Sequence, residues 1–65
     1  MSWLWNKKGT ACINPSKLRE IIIRRRGNYA PYYEVVGVIN WVEEFNFGYF
    51  GNYSEAKTFL KDLGV

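Results

Sequence analysis

The segment from Tyr32 to Val42 constrains the fold more than any other part of the chain, because it is apolar on both faces of an extended strand. Period-two alternation places one set of side chains on a wholly apolar face: Tyr33, Val35, Gly37, Ile39 and Trp41. The other face is apolar in its middle, at Val36 and Val38. A strand of this kind is usually covered on both sides. One helix can cover only one side, so we expect a homodimer or higher oligomer to cover the other.

Strands are predicted on both sides of this segment. Three consecutive isoleucines between Leu18 and Arg26 favour a strand, since β-branched side chains lose more freedom in a helix. Phe45, Phe47 and Tyr49 alternate with polar or small residues, which is typical of a half-buried antiparallel strand. We expect these three rings to share one face and to pack in the core.

The two ends of the chain complete the predicted fold. Residues 1–9 are expected to form an N-terminal arm or an edge hairpin, with Trp3 and Trp5 either in a strand or in a swapped arm. Residues 54–64 predict a helix with Ser54 as its N-cap and Gly64 at its end. Its apolar stripe consists of Ala56, Phe59, Leu60 and Leu63. The prediction for residues 1–65 is one α+β domain, an antiparallel sheet of four to five strands with one C-terminal helix packed on one face.

Composition excludes several classes of chemistry. The chain has one cysteine, Cys12, and no histidine, so a disulfide within the chain, a zinc site and the Ser-His and Cys-His catalytic pairs lack their residues. Glu43 and Glu44 are adjacent, so in a strand they point to opposite faces and cannot act as a close pair. We expect no catalysis, no metal and no cofactor.

Targeting signals are also missing from the sequence. No basic start leads into an apolar stretch, and no apolar run approaches the roughly 20 residues of a membrane helix. A lone thiol suits a reducing compartment. We expect a cytoplasmic protein without a membrane partner.

Charge is distributed unevenly along the chain. Residues 1–33 carry seven basic side chains and one acidic, whereas residues 34–65 carry two basic and five acidic. This asymmetry indicates an anionic partner. Pairing of strands of opposite charge within the sheet explains it equally well.

The run from Arg24 to Arg26, followed by a tyrosine-rich loop, is the most suggestive constellation. Guanidinium groups bind phosphates through paired hydrogen bonds, and aromatic rings stack on bases. The candidate ligand-binding residues are Arg24, Arg25, Arg26, Tyr29, Tyr32 and Trp41. Trp41 lies in the turn predicted between Asn40 and Glu44, where it is either a core residue or an exposed loop tip. A charged strand end that prevents aggregation, with tyrosines packed on arginine stems, is the alternative explanation.

Several stretches resemble a known group of proteins. They are Ile13 to Leu18, Tyr33 to Asn40, Phe47 to Phe50 and Ser54 to Lys57. Through them, the region from Ala11 to Val65 resembles small proteins of Firmicutes bacteria and their phages, built from a β-sheet and a C-terminal helix. The start at Trp3 and the basic run at Arg24 depart from that group, which is more acidic there.

The resemblance implies a phage context, in which small oligomeric proteins often antagonise host defence. We therefore expect a non-enzymatic binding protein that sequesters an anionic, phosphorylated nucleotide-type signal. Two alternatives stay open: an inhibitor that occludes a host protein, and a non-specific nucleic-acid-binding module.

Overall fold

The computed structural model describes residues 2–64, which form an α+β fold. Its elements are β1 Leu4–Trp5, β2 Cys12–Ile13, a 3-10 helix Pro15–Lys17, β3 Glu20–Arg26, β4 Tyr32–Val38, β5 Glu44–Phe50 and α1 Tyr53–Asp62. Strands β1 and β2 form a two-stranded antiparallel sheet, and the other three form an antiparallel sheet in the order β3-β4-β5. The expected single sheet of four to five strands is therefore not confirmed.

The N-terminal hairpin forms its own sheet, and each of its strands is two residues long. It meets β5 where the backbone N–H of Lys7 donates to the carbonyl oxygen of Phe47, at 2.6 Å. Leu4 and Ile13 face each other across the hairpin, and both are buried in the core. Trp5 lies in β1 and is half exposed. The hairpin therefore covers the core next to β5 rather than extending the β3-β4-β5 ladder.

Helix α1 covers one face of the three-stranded sheet. Ala56 is fully buried, and Phe59 and Leu63 pack against the same core, as the helical spacing predicts. The cap differs from the prediction, because the Asn52 side chain accepts the N–H of Glu55 at 2.8 Å and the helix begins at Tyr53. An N-cap oxygen that satisfies a free backbone donor fixes where a helix starts.

A β-bulge in β5 changes which aromatic rings face this core. Val35 pairs with Gly48, but Val36 pairs with Asn46, so β5 has one extra residue at this point. The alternation of β5 is therefore offset, and both Phe47 and Phe50 are buried. The prediction for the third ring, Tyr49, is wrong: it pairs with Glu34 and is 54% exposed.

Strand β4 ends at Val38, four residues before the predicted end at Val42. The side-chain oxygen of Asn40 accepts the backbone N–H groups of Val42 and Glu43, each at 2.9 Å. An asparagine that bonds the backbone in this way forms a turn and ends the strand. Trp41 is 96% exposed at the tip of this turn, which decides between the two placements predicted for it.

Gly48→Ala is expected to lower the free energy of unfolding by about 1–3 kcal/mol. The φ of Gly48 is +150°, which L side chains rarely adopt, and an added Cβ would lie 2.7 Å from Cβ of Lys7. Urea unfolding of both proteins measures the difference. Gly51→Ala is the matched control, because a Cβ at Gly51 meets no atom within 4 Å. Equal stability of the two variants would show that the bulge does not depend on glycine.

Candidate functional site

The face of the three-stranded sheet turned away from α1 carries the polar constellation of the molecule. We call it the second face, and the strand registers assign its members: Glu20, Ile22, Arg24, Arg26, Tyr32, Glu34, Val36, Val38, Glu44, Asn46 and Tyr49. Little of the apolar surface expected on this face of β4 is exposed, because Val36 is buried by its neighbours and Val38 is half-buried.

Glu34 lies at the centre of the second face and is only 7% exposed. The Nε atoms of Arg24 and Arg26 donate to its Oε1 at 3.2 and 3.0 Å. The amide of Asn46 donates to Oε2. Three donors from two neighbouring strands thus compensate the cost of burying a carboxylate.

The charge state of Glu34 follows from these contacts. Burial raises the pKa of its carboxyl, but hydrogen bonds from Arg26 and Arg24 and the attraction of both guanidinium groups outweigh burial. The net result is a pKa below the ordinary 4.5. Glu34 is therefore a fixed negative charge at neutral pH that holds two arginines in place.

The three candidate arginines have different surroundings. Arg24 bridges two acids, since its Nη2 also donates to Glu44 at 2.9 Å. Arg26 uses only Nε on Glu34, and its terminal nitrogens have no acceptor among residues 2–64. Arg25 is exposed on the other face, because successive side chains of a strand alternate. Of the three, Arg26 has guanidinium nitrogens that are both oriented by Glu34 and free for a ligand.

The candidate aromatic residues are also separated. Tyr32 lies opposite Arg26 in the register and contacts Tyr49 edge-to-face, with ring centroids 5.6 Å apart. Tyr29 is fully exposed in the loop between β3 and β4. Trp41 lies beyond the opposite end of β4, where it shares a shallow depression of about 280 Å³ with Arg24. The structure thus groups Arg24, Arg26 and Tyr32 on the second face. Trp41 meets only Arg24 of this group, at the opposite end of β4, and Arg25 and Tyr29 lie outside it.

Tyr49 is the site residue that the sequence prediction missed. Besides contacting Tyr32, it lines a cleft of about 470 Å³ between the hairpin loop and β5. The cleft is lined by Asn6, Lys7, Lys8, Thr10, Asn46, Phe47, Gly48 and Tyr49. The Nζ of Lys7 donates to the Tyr49 carbonyl at 2.8 Å and lies 4.5 Å from the Phe50 ring centroid. A glycine inside an aromatic strand is the signal that could have indicated the bulge.

The cleft and Arg26 lie on opposite sides of the Tyr32 and Tyr49 rings. Lys7 and Lys8 border Tyr49 on the hairpin side, and Arg26 lies beside Tyr32 on the β3 side. Cations therefore flank an aromatic pair from both directions, which suits an anionic ligand with a flat ring.

Residues 2–64 contain no group of three or more potential metal-ligating side chains, and none of their helices is long and apolar enough to cross a membrane. The chain matches no protein-family model, no curated protein and no solved structure. The resemblance to small phage and Firmicutes proteins therefore stays a prediction.

Glu34→Gln is expected to lower the free energy of unfolding at neutral pH by about 1–3 kcal/mol. Arg24 and Arg26 both lose the negative charge of their common partner, but water still hydrates part of each guanidinium. Because the folded pKa of Glu34 lies below 4.5, its contribution is present above that value and is lost as pH falls through the folded pKa. Thermal unfolding from pH about 7 down to about 2 should therefore show a smaller acid-dependent loss for the variant than for the native protein.

Glu43→Gln is the control for this measurement, because Glu43 is exposed and its carboxylate accepts from the neutral amide of Asn40. Its acid profile should match that of the native protein. If Glu34→Gln had the same profile as well, Glu34 would not be the paired carboxylate on which the second face depends.

Proposed function

We propose that this protein binds an anionic nucleotide-type ligand, without chemical turnover, at the end of the second face formed by Tyr32, Tyr49 and Arg26. One observation carries the proposal. The bulge turns Tyr49 out of the core and places it beside Tyr32, on the face where Arg26 has free guanidinium nitrogens.

The aromatic pair supplies the contact for a base. Tyr49 is 54% and Tyr32 is 41% exposed, so ring surface is available at both positions. Stacking of a base on an aromatic side chain contributes about 1–3 kcal/mol and depends little on which base is bound. The edge-to-face contact holds each ring in position before a ligand arrives, which lowers the entropic cost of binding.

The cations supply the contact for phosphate. Glu34 holds Nε of Arg26, so the guanidinium is oriented while its terminal nitrogens stay free for two parallel hydrogen bonds to phosphate oxygens. Lys8 is exposed and borders the other side of Tyr49. A base on the tyrosines with phosphate on either side would meet a cation in both directions.

The biological role that follows from such a site is sequestration. A protein that holds a phosphorylated nucleotide without converting it lowers the free concentration of that nucleotide. This is the action expected of a phage-encoded antagonist of host signalling, which the resemblance of residues 11–65 suggests.

Arg26→Ala and Tyr49→Ala are each expected to weaken nucleotide binding about 5- to 150-fold, because each removes a contact of roughly 1–3 kcal/mol. Isothermal titration calorimetry against nucleoside mono- and diphosphates, cyclic nucleotides and cyclic dinucleotides measures the loss. Binding of the active ligand should saturate at a fixed stoichiometry and raise the melting temperature.

Arg25→Ala and Tyr29→Ala are the matched controls, one arginine and one tyrosine from the same part of the chain but outside the group. They should bind as the native protein does. Loss of binding in these variants instead would place the site in the loop between β3 and β4. Absence of binding with every nucleotide would refute the proposal, and affinity for oligonucleotides that falls steeply with salt would favour the nucleic-acid alternative.

The second candidate function, occlusion of a host protein, rests on a different part of the molecule. Trp41 and Val42 are almost fully exposed at the turn between β4 and β5. Large aromatic residues of this kind often anchor protein interfaces. Trp41→Ala should weaken capture of a host protein if this candidate holds, while nucleotide binding by that variant should be unchanged.

A further inference from the structure

Strand β3 is an edge strand of the three-stranded sheet. The sheet order is β3-β4-β5, and no backbone group of residues 2–64 pairs with the outer side of β3. Natural proteins protect such an edge by a short strand, a proline, a bulge or charged side chains, and of these devices β3 has only the charged side chains at its two ends. Strand β3 has seven residues, contains no proline and pairs with β4 without a bulge. Its three isoleucines, Ile21 to Ile23, are only half-buried.

We propose that two copies of this chain pair through their β3 strands, antiparallel, with Ile23 opposite Ile23 of the second copy. Ile23 is the middle residue of β3, so this register overlaps the whole strand. The two three-stranded sheets would join into one antiparallel sheet of six strands. Each copy would gain backbone hydrogen bonds along an edge that is otherwise unpaired.

The charges of β3 favour antiparallel pairing with a second copy. The strand begins at Glu20 and ends in three arginines, Arg24 to Arg26. Antiparallel pairing lays the basic end of one copy along the acidic and apolar end of the other. Opposite charges that face each other across two strands stabilise a sheet, and like charges destabilise it. The run of arginines is thus compatible with self-pairing in this direction.

The register follows from the two faces of the sheet. Antiparallel pairing of identical strands requires a two-fold axis perpendicular to the sheet, which keeps each face continuous. Residues directly opposite each other must therefore belong to the same face, so a single residue lies on the axis. The central candidates are Ile22, Ile23 and Arg24.

Charge separates these three registers. An axis at Arg24 places Arg24 opposite its own copy, and an axis at Ile22 places Arg19 opposite Arg25. Both arrangements bring like charges together. An axis at Ile23 places Glu20 opposite Arg26, twice in the dimer, and the remaining arginines opposite isoleucines. Among directly opposite residues, this register has two attractive pairs and no repulsive one.

Pairing at β3 would also affect ligand binding, and this part of the inference rests on the proposed function. Glu20 of the second copy would lie beside Arg26, whose terminal nitrogens the ligand phosphate would use. Dimer formation and ligand binding would then compete for one guanidinium, and each would weaken the other by the same factor. The dimer itself does not depend on the ligand, so failure of nucleotide binding leaves this inference intact.

Charge reversal tests the proposed contact. The native protein should sediment as a dimer, while Glu20→Lys and Arg26→Glu should each weaken the dimer at least about tenfold, because each homodimer then has two like-charge pairs. An equimolar mixture of the two variants should regain the dimer, since each reversed charge faces its opposite. Sedimentation equilibrium, with the two variants labelled differently, measures the association.

Glu55→Lys is the control for charge reversal, because it makes the same change on the exposed surface of α1. It should leave the dimer unchanged. A native protein that is monomeric at about 100 μM, far above the Kd of a stable dimer, would overturn the proposal. So would a mixture of well-folded variants that stays monomeric.

A cross-link measures the register without altering the Arg26–Glu34 contact. In a Cys12→Ala background, Ile23→Cys should form a disulfide between two copies under mild oxidation. Residues directly opposite in paired strands have Cα atoms about 4.5–5.5 Å apart, within reach of a disulfide. Ile21→Cys is the matched control on the same face. Its Cα would lie roughly 13 Å or more from its counterpart, beyond that reach. Cross-linking of Ile21→Cys but not Ile23→Cys, or of neither, would refute the register.

Discussion

The extra residue in β5 is the constraint on which the rest of the molecule depends. Without it, Phe45, Phe47 and Tyr49 would share one face, and Phe50 would point away from the core. With it, Phe47 and Phe50 both pack beneath α1, and Tyr49 reaches the second face. The same point of β5 receives the N-terminal hairpin, since the carbonyl of Phe47 accepts the N–H of Lys7. Core packing, hairpin docking and the contact between Tyr32 and Tyr49 thus depend on one bulge. Gly48 permits this bulge by adopting a φ that other residues avoid.

The second face is ordered by a buried carboxylate rather than by apolar packing. Glu34 accepts hydrogen bonds from Arg24, Arg26 and Asn46, so the donors of two strands converge on the middle one. This arrangement changes the meaning of the basic run. Arg24 is neutralised by Glu34 and Glu44, whereas Arg26 is oriented by Glu34 and keeps its terminal nitrogens free. Counting charges along the chain does not distinguish Arg24 from Arg26. Their ion-pair partners do, because of these two arginines only Arg26 keeps terminal nitrogens free to bind an anion.

The small size of the chain limits the stability of its core and makes pairing at the edge of the sheet important. A chain of 65 residues buries a limited share of its surface, so stability from its own core is marginal. Pairing at β3 would add backbone hydrogen bonds and bury more of the isoleucines without a larger chain. Since Arg26 lies both at that edge and at the aromatic site, self-association and ligand binding would be coupled through one side chain. Such coupling is a direct consequence of placing two surfaces on a sheet of three strands.

The sequence by itself determined the α+β class, the apolar stripe of α1 and the burial of Val35, because helical and strand periodicities are local properties of the chain. It also placed Arg26 and Tyr32 among the candidate ligand-binding residues, and the strand register sets them opposite each other. Only the tertiary structure decided that Tyr49 joins them and that Trp41 does not. The early end of β4 is set by the local turn at Asn40. The bulge lies where β5 meets the N-terminal hairpin, a contact between residues far apart in the sequence, so Gly48 could indicate an irregularity but not which ring it turns outward. The division of the five strands into two sheets has the same origin, because docking onto β5 competes with extension of its ladder.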